Sequence, residues 1–458
     1  MRKWIPVVLV FILAFTGIWF WSLGSLPSDD VTIARVSEKT GGMQLVRDNQ
    51  APQEIGVDTA LLEGDRITTG AEGSAILDWY GAGESRISTS TEIVIEKLGQ
   101  TEDGNLLLVL RLESGRIWSR VQSLLDLDAQ ATVQTSDVIA TVRGTSFDLE
   151  KHVNEPTTLW VSDSVVETSG ASVASTGDGL LVLQGSMAKF GGAYRTTSTI
   201  PISASGTQTE WFLNNKENDK KFDAKNREKQ RSSLGLGRAP ASGLLRGLAD
   251  LSQKLRGPSA GPRLIMRRLA LIRDEAETGA EGKAADDFTR LERELRQQID
   301  TAKPAIQASL RKAVRNSRKL FADVNPESPA YRYKQALEEI SERFARTDAE
   351  RIFLRLLAVN DRLDEGFMAL ENGNSDLAGS MAGIAEQSLT NLAREMKELK
   401  DKEGKAVMVR SKMRALSART ALLRARANPP PVVLPELPTS TNMLIETTPQ
   451  VLINGKPL

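Results

Sequence analysis

VQTSDVIATVRGTSFDLE, residues Val133 to Glu150, decides how the first half of this chain is read. Both flanks alternate apolar and polar residues, the period of a strand with one buried face. Between them, Arg143 and Gly144 interrupt the run. Glycine permits a turn or a close backbone approach that a side chain would block. Thr141, Val142, Thr145 and Phe147 keep strand character on either side. The pattern predicts two strands meeting at a sheet corner. Arg143 is then placed to bond carbonyls or to pair with an internal carboxylate such as Asp65. The corner reads as a structural staple, with a ligand or partner contact as the alternative. Nothing in the motif sets a nucleophile beside a base.

The surrounding text agrees. Short strand-like pieces such as GGMQLV, SAILDWY, STSTEIVIEKL, LLLVLRL, GRIWSRV, TTLWVS and LLVLQG are separated by EGDRITTG, GAGE, EDGN, ESG and GDG. Those separators supply the positive-φ residues of turns. Strands at 8–12-residue spacing predict an all-β domain over residues 30–210, either a twisted β-sandwich or a coil of short β rungs. Asp126 and Asp128 share one strand face, but no second acidic cluster accompanies them. TGDG at Thr176–Gly179 lacks phosphate-loop spacing and reads as a hairpin turn.

Five segments in order resemble the FecR domain, a periplasmic module named after an iron-dicitrate regulator. LLEGDRITTGAEGSAILDW carries the Gly64-Asp65 pair and the Gly70 that opens an alternating strand. STSTEIVIEKL, LRLESGRIWSRV, the Val-Arg-Gly-Thr-x-Phe block (Arg143, Gly144, Thr145, Phe147) and TTLWVSDSVVETS follow, covering about residues 32–192. Trp211, Asn215 and Asp219 look like the Trp-x3-Asn-x3-Asp tail found after some FecR domains, and their spacing puts them on one helix face. The resemblance implies a β-fold, no catalytic residues, and regulators that sense an outer-membrane event and restrain a sigma factor.

Composition narrows the chemistry. The 458 residues contain no cysteine and one histidine, His152. Thiol nucleophiles, disulfides, Cys-ligated metals and multi-His sites are excluded, and no cofactor or metal is expected. Residues 31–210 carry 13 Lys and Arg against 24 Asp and Glu, whereas residues 211–458 carry 44 against 33. Opposite signs let the halves dock, or aim the basic half at anionic polymers or head groups; plain solvation is the bland alternative.

Met1-Arg2-Lys3 precedes an uncharged run from Ile5 to Leu23. As a helix it reaches roughly 30 Å, the thickness of a bilayer core. Trp19 and Trp21 suit the interface, and Arg2 and Lys3 hold the N-terminus in the cytoplasm. Residues 1–29 are therefore expected to be a stub and an uncleaved anchor, with a cleaved signal peptide as the competitor. The bulk is expected outside the bacterial inner membrane. FecR regulators carry a sizeable cytoplasmic domain, whereas here about four residues precede the apolar run, which argues against direct sigma-factor control.

Residues 211–262 read as a linker with a short helix, and residues 263–428 switch to a 3.6-residue period. Expected features include a break at Pro304, Ser328 as N-cap with Pro329 in the first turn, and a Thr347/Glu350 capping box on a helix ending at Gly373. SPAYRYKQALEEISERF and its continuation resemble a bacterial envelope helical domain of unknown function over about residues 329–395, through a Ser-Pro-x-Tyr-x-x-Lys start. Glu338, Glu339, Asp361, Asp364 and Glu365 read as solvated helix faces. Residues 429–458 read as a Pro-rich tail with a C-terminal hairpin at Asn454-Gly455 that could also pair in trans.

The expected molecule is thus multidomain: a single N-terminal transmembrane helix, an all-β FecR-like domain and a C-terminal α-helical bundle. Its expected function is non-enzymatic, binding a protein or cell-wall polymer on the outer side and no nucleic acid. Signalling through a separate cytoplasmic partner is the alternative, and a glycan-acting enzyme is the remote one.

Overall fold

A computed structural model describes residues 34–48, 50–100, 106–122, 130–142, 144–170, 180–191, 194–195, 200–202, 209–233, 261–301, 303–397, 405–429, 452–453 and 456–457. The expected anchor, Asp126, Asp128, Arg143 and Thr176–Gly179 lie outside them. No helix among the described residues is long and apolar enough to cross a membrane.

The strand Leu106–Val121 organises the β region. Its first half pairs with Glu92–Gln100 and, in parallel, with Gln130–Gln134. Its second half pairs with Gly83–Ile87 and Ser146–Lys151. One strand therefore belongs to two sheets. The inward residues change parity along it: Leu106, Leu108, Leu110 and Leu112 face the core first, then Ile117 and Val121. A bulge at Glu113-Ser114 makes the change, followed by Gly115 at φ +95°. The Glu-Ser-Gly that reads as a turn is thus a kink inside a sixteen-residue strand. Both sides of the kink find neighbouring strands, so the chain has no reason to reverse.

Side chains from both sheets fill one core, among them Val36, Met43, Ile67, Trp79, Ile93 and Phe147. This is a sandwich rather than a coil of rungs. The strand Val138–Val142 lies in one sheet and Ser146–Lys151 in the other. Gly144 (φ +90°) sits at the crossing, the sheet corner expected from the sequence.

The helical region follows. Helix α1 (Glu210–Ser233) spans 24 residues, longer than the short linker helix expected. Then come α2 (Gly261–Glu277), α3 (Glu281–Thr301), α4 (Pro304–Leu320), α5 (Tyr331–Arg343), α6 (Asp348–Glu371), α7 (Ser375–Met396) and α8 (Lys405–Ala427). Pro304 breaks the amphipathic run and starts α4, because its ring fits only the first turn. Thr347 accepts from the Glu350 N–H at 3.1 Å, and Gly373 follows α6 at φ +77°. Ser328 is not the cap of α5: the helix begins after Ala330, and the Ser328 hydroxyl accepts from the Ala330 N–H within the preceding turn. Two apolar clusters hold the bundle, one shared by α2–α5 and one by α6–α8. At the C-terminus, Leu452–Ile453 pairs antiparallel with Lys456–Pro457.

Candidate functional site

The most chemically dense place in the β region is the outer face of the sheet that carries Ser146–Lys151. Strand alternation sends Phe147 and Leu149 to the core and Ser146 and Asp148 outward. Arg116, Trp118 and Arg120 point outward from the neighbouring strand, and Arg86 and Trp160 from strands on either side. Helix α1 lies across this face. Its contact seam is Trp211, Phe212, Asn215, Asp219 and Phe222, with three- to four-residue spacing.

Asp219 is the centre of the seam. It accepts from Arg86 Nη1 at 2.6 Å, Trp118 Nε1 at 3.1 Å and Ser146 Oγ at 2.6 Å, so one helical carboxylate ties three strands. Arg86 also donates to the Asn215 carbonyl at 3.1 Å. The mirror-image bond joins Trp211 Nε1 to Asp148 at 3.3 Å. Asp148 is fully buried and is bridged by Arg116, whose Nη2 lies 2.5 Å from Oδ2. The Arg116 guanidinium packs over Trp160 at 5.0 Å and over Trp211 at 5.7 Å. Trp118 meets Phe212 edge-on at 5.2 Å.

Burial sets the electrostatics. Desolvation pushes Asp148 up to about 6 against the pull of Arg116 and Trp211. It likewise raises Asp219, against Arg86 and Arg120. Glu84, bonded to Arg86, is pushed up to about 7 by desolvation. Burial works against the charge of Arg120, but Asp223, Asp163 and Asp219 more than offset it and hold its pKa above the ordinary value. The carboxylates are thus matched to guanidinium groups and indoles in a closed seam. The Ser146 hydroxyl is spent on a carboxylate with no histidine near it, and no cluster of three or more metal-ligating side chains occurs among the described residues. The arrangement clamps; it has no geometry for nucleophilic attack.

The other motif residues build the sandwich. Asp65 is buried and bridges Arg47 through two 2.7 Å bonds, while accepting from the Leu62 N–H at 2.8 Å. Arg47 is thus a partner of Asp65; the pairing of Asp65 with Arg143 suggested by the sequence lies outside the described residues. Gly64 (φ +90°) donates its N–H to Ile95, and Gly70 donates to the Gly42 carbonyl. Thr145 exchanges backbone bonds with Val121, and Phe147 is fully buried. His152 is exposed beside Glu150.

Two further charged clusters escaped the sequence reading. In the bundle, Arg362 bridges Glu338 at 2.7 Å and Glu365 at 2.6 Å, Lys334 reaches Glu365 at 2.7 Å, and the Tyr331 hydroxyl donates to Glu365 at 2.8 Å. Glu338 and Glu365 are buried, so these are not solvated faces; α5 and α6 enclose them together. Desolvation pushes Glu338 up to about 6, with Arg362 opposing. The Tyr331 and Lys334 of the Ser-Pro-x-Tyr-x-x-Lys start both end on Glu365. Between the regions, Arg419 of α8 is 1% exposed. It binds Asp364 at 2.6 Å and Asn360 at 3.1 Å, and lies 3.8 Å from Asp163 of the β-sandwich. Arg414 and Ser411 hold Glu167, and Arg426 donates to the Gln184 carbonyl. The acidic and basic halves thus meet through paired charges.

Comparison with known proteins gives little. No family model matches the chain, and no curated protein matches it. Two crystal structures of a "putative anti-sigma factor" from Parabacteroides distasonis align at 13% identity and a TM-score of 0.25, over 30% of this chain. The chain spans 59% of the length of that protein. The likeness is distant.

Proposed function

We propose that this chain is a non-enzymatic, membrane-anchored envelope protein of the FecR-domain type that binds or scaffolds partners on the outer side of the membrane. The observation that carries the reading is the fate of the charged motif residues. Asp219, Asp148, Arg86 and Arg116 are consumed in closing a helix onto a sheet. Arg419 and Arg414 are consumed in joining that sandwich to the bundle. Such interlocked, charge-compensated surfaces suit a module that holds shape and presents faces to partners. The ordered FecR-like segments and the uncharged Ile5–Leu23 run support export and anchoring.

The test is made in intact cells with a C-terminal tag. Protease added to spheroplasts should remove the tag, and mild amine crosslinking should link the exported region to envelope partners. A tag protected inside the spheroplast overturns the placement. Crosslinks made solely to a cytoplasmic regulator replace scaffolding with transmembrane signalling.

A further inference from the structure

The two regions keep separate cores. One apolar cluster contains residues of the sandwich alone, and two contain residues of α2–α8 and their connections alone. A fourth, of Trp118, Trp160, Met187, Ile202 and Phe212, joins α1 to the sandwich. No buried apolar cluster among the described residues crosses from the sandwich and α1 to α2–α8. By that division α1 belongs to the sandwich, and the bundle begins at α2.

What crosses instead is charge, gathered at one corner. The strand Thr157–Asp163 lies in one sheet and Val165–Gly170 in the other, with Ser164 at φ +67° between them. Before the corner, Asp163 lies 3.8 Å from Arg419. After it, Glu167 lies 2.8 Å from Arg414 and also accepts from Ser411. Arg426 donates to the Gln184 carbonyl at 3.1 Å. All four of these partners stand on α8. Elsewhere, Arg227 of α1 lies 3.6 Å from Asp323. Apart from Arg419, every side chain in these ion pairs is between 32% and 43% exposed. Pairs so placed are weak and are screened by salt.

Separation would strand few of these charges. Asp163 also bridges Arg120 at 3.1 Å, within the sandwich. Arg419 also binds Asp364 at 2.6 Å and Asn360 at 3.1 Å, within the bundle. Asp323 also bridges Arg273 at 2.8 Å, again within the bundle. Each keeps a partner on its own side of the joint, so parting the regions leaves none of the three as a bare charge. Regions joined by polar contacts without a shared apolar core move relative to one another by default.

We infer that the joint is an ionic latch: the bundle leaves the Asp163–Glu167 corner as one body while α1 stays on the sandwich, and opening bares the guanidinium groups of Arg414, Arg419 and Arg426 together with the two acidic side chains. The closed form holds these groups against each other and so withholds both charged faces from any outside partner. The latch goes beyond the scaffold reading and stands without the anchor.

The chain contains no cysteine, so spin labels attach solely where cysteines are introduced. Thr68→Cys with Ala393→Cys, exposed on the sandwich and on α7, reports the joint; Thr68→Cys with Lys220→Cys reports the seat of α1. Pulsed dipolar spectroscopy on the full chain in a nonionic detergent measures both separations. At about 10 mM salt the first pair should give one distance. In about 1 M sodium chloride, where screening acts within about 3 Å, a longer distance should appear. The open-to-closed ratio should rise about tenfold or more, since each of the three ion pairs contributes roughly twofold to fivefold. Glu167→Arg should raise the same population at low salt, and adding Arg414→Glu should return it to the closed distance. The Thr68–Lys220 distance should stay fixed throughout. A Thr68–Ala393 distance unmoved by salt or by Glu167→Arg, or a double reversal that stays open, overturns the latch. A Thr68–Lys220 distance that lengthens in step also overturns it, because the helix would then be leaving the sandwich with the bundle.

Discussion

Asp219 accepts a hydrogen bond from the indole of Trp118 at 3.1 Å, joining residues 101 positions apart in the chain. A few ångströms away the roles reverse: the helix gives the indole, Trp211, and the sheet gives the carboxylate, Asp148. The exchange makes the docking of α1 depend on two buried carboxylates, and each is open to a direct test.

Asp219→Ala removes one of the two carboxylates paired with buried Arg86, together with the acceptor of Trp118 and Ser146, while Glu84 still pairs with Arg86. Breaking a buried pair from one side costs about 3–5 kcal/mol. Ser146→Ala removes one neutral donor and should cost about 1 kcal/mol. Hydrogen exchange over residues 210–226 should rise sharply in the first variant and modestly in the second. Equal exchange in both would mean that Asp219 does not hold the helix.

The same burial predicts how docking responds to pH. Glu84 and Asp148 have folded-state values raised to about 7 and about 6, above their ordinary values. A carboxylate raised on folding contributes stability that is complete below its unfolded value and lost as pH rises through its folded value. These groups therefore weaken the sandwich progressively from about pH 4 to 7. Asp137 and Asp323 are lowered and oppose this only at more acid pH: burial works against their ionised form, but Lys151 and Thr157 outweigh it for Asp137, and Arg273 for Asp323. Melting temperature followed by tryptophan fluorescence should fall across that window in the parent chain. In Glu84→Gln the slope should flatten, since that group no longer titrates. An unchanged slope would remove Glu84 as its source.

The joint between the two halves is tested at Arg419 and Glu167. Arg419→Ala empties the space of a side chain 1% exposed and removes its bonds to Asp364 and Asn360, and should cost about 2–5 kcal/mol, mostly in lost packing. Asp163→Ala removes the 3.8 Å contact to Arg419 and a 3.1 Å bridge to Arg120, both from a side chain 41% exposed, each worth less than about 1 kcal/mol. Glu167→Arg should repel Arg414 and raise exchange across α8. Adding Arg414→Glu should restore protection. If the double reversal is no better than the single one, the pair does not join the halves.

These clusters also show where sequence reading stops. Strand and helix periods gave the β-rich region, the helical region, the break at Pro304 and the Thr347 cap, because each depends on neighbours within a few residues; the choice between a sandwich and a coil of rungs stayed open. The four-residue spacing of Trp211, Asn215 and Asp219 even placed them on one face. What they would meet was hidden. Arg86, Ser146 and Asp148 occupy the polar positions of alternating strands, which normally face water; a covering helix whose contacts lie 63 to 133 residues away buries them. The seam of α1 mixes aromatic with polar residues on a mostly polar helix, so apolar periodicity alone undervalues it. Glu338, Arg362 and Glu365 have the spacing of a solvated face, and only the packing of α5 on α6 makes them a buried network. Glu113-Ser114-Gly115 has the composition of a turn. Its identity as a bulge depends on partner strands on both sides, which no local window contains.

That bulge supplies the last prediction. Gly115 has φ +95°, and a Cβ there would lie 2.5 Å from the Thr91 Cα, a backbone atom that cannot step aside. Gly64 has nearly the same φ, +90°, but open space where its Cβ would be. Left-handed backbone costs an ordinary residue about 1–2 kcal/mol. Overpacking adds about 1–3 kcal/mol. Gly64→Ala should therefore lose the smaller amount alone, and Gly115→Ala the sum. Because the strand Leu106–Val121 feeds both sheets, the second loss should appear as faster hydrogen exchange in Glu92–Gln100 and in Ser146–Lys151 together. Faster exchange confined to one of them would show that the two sheets do not depend on the shared strand.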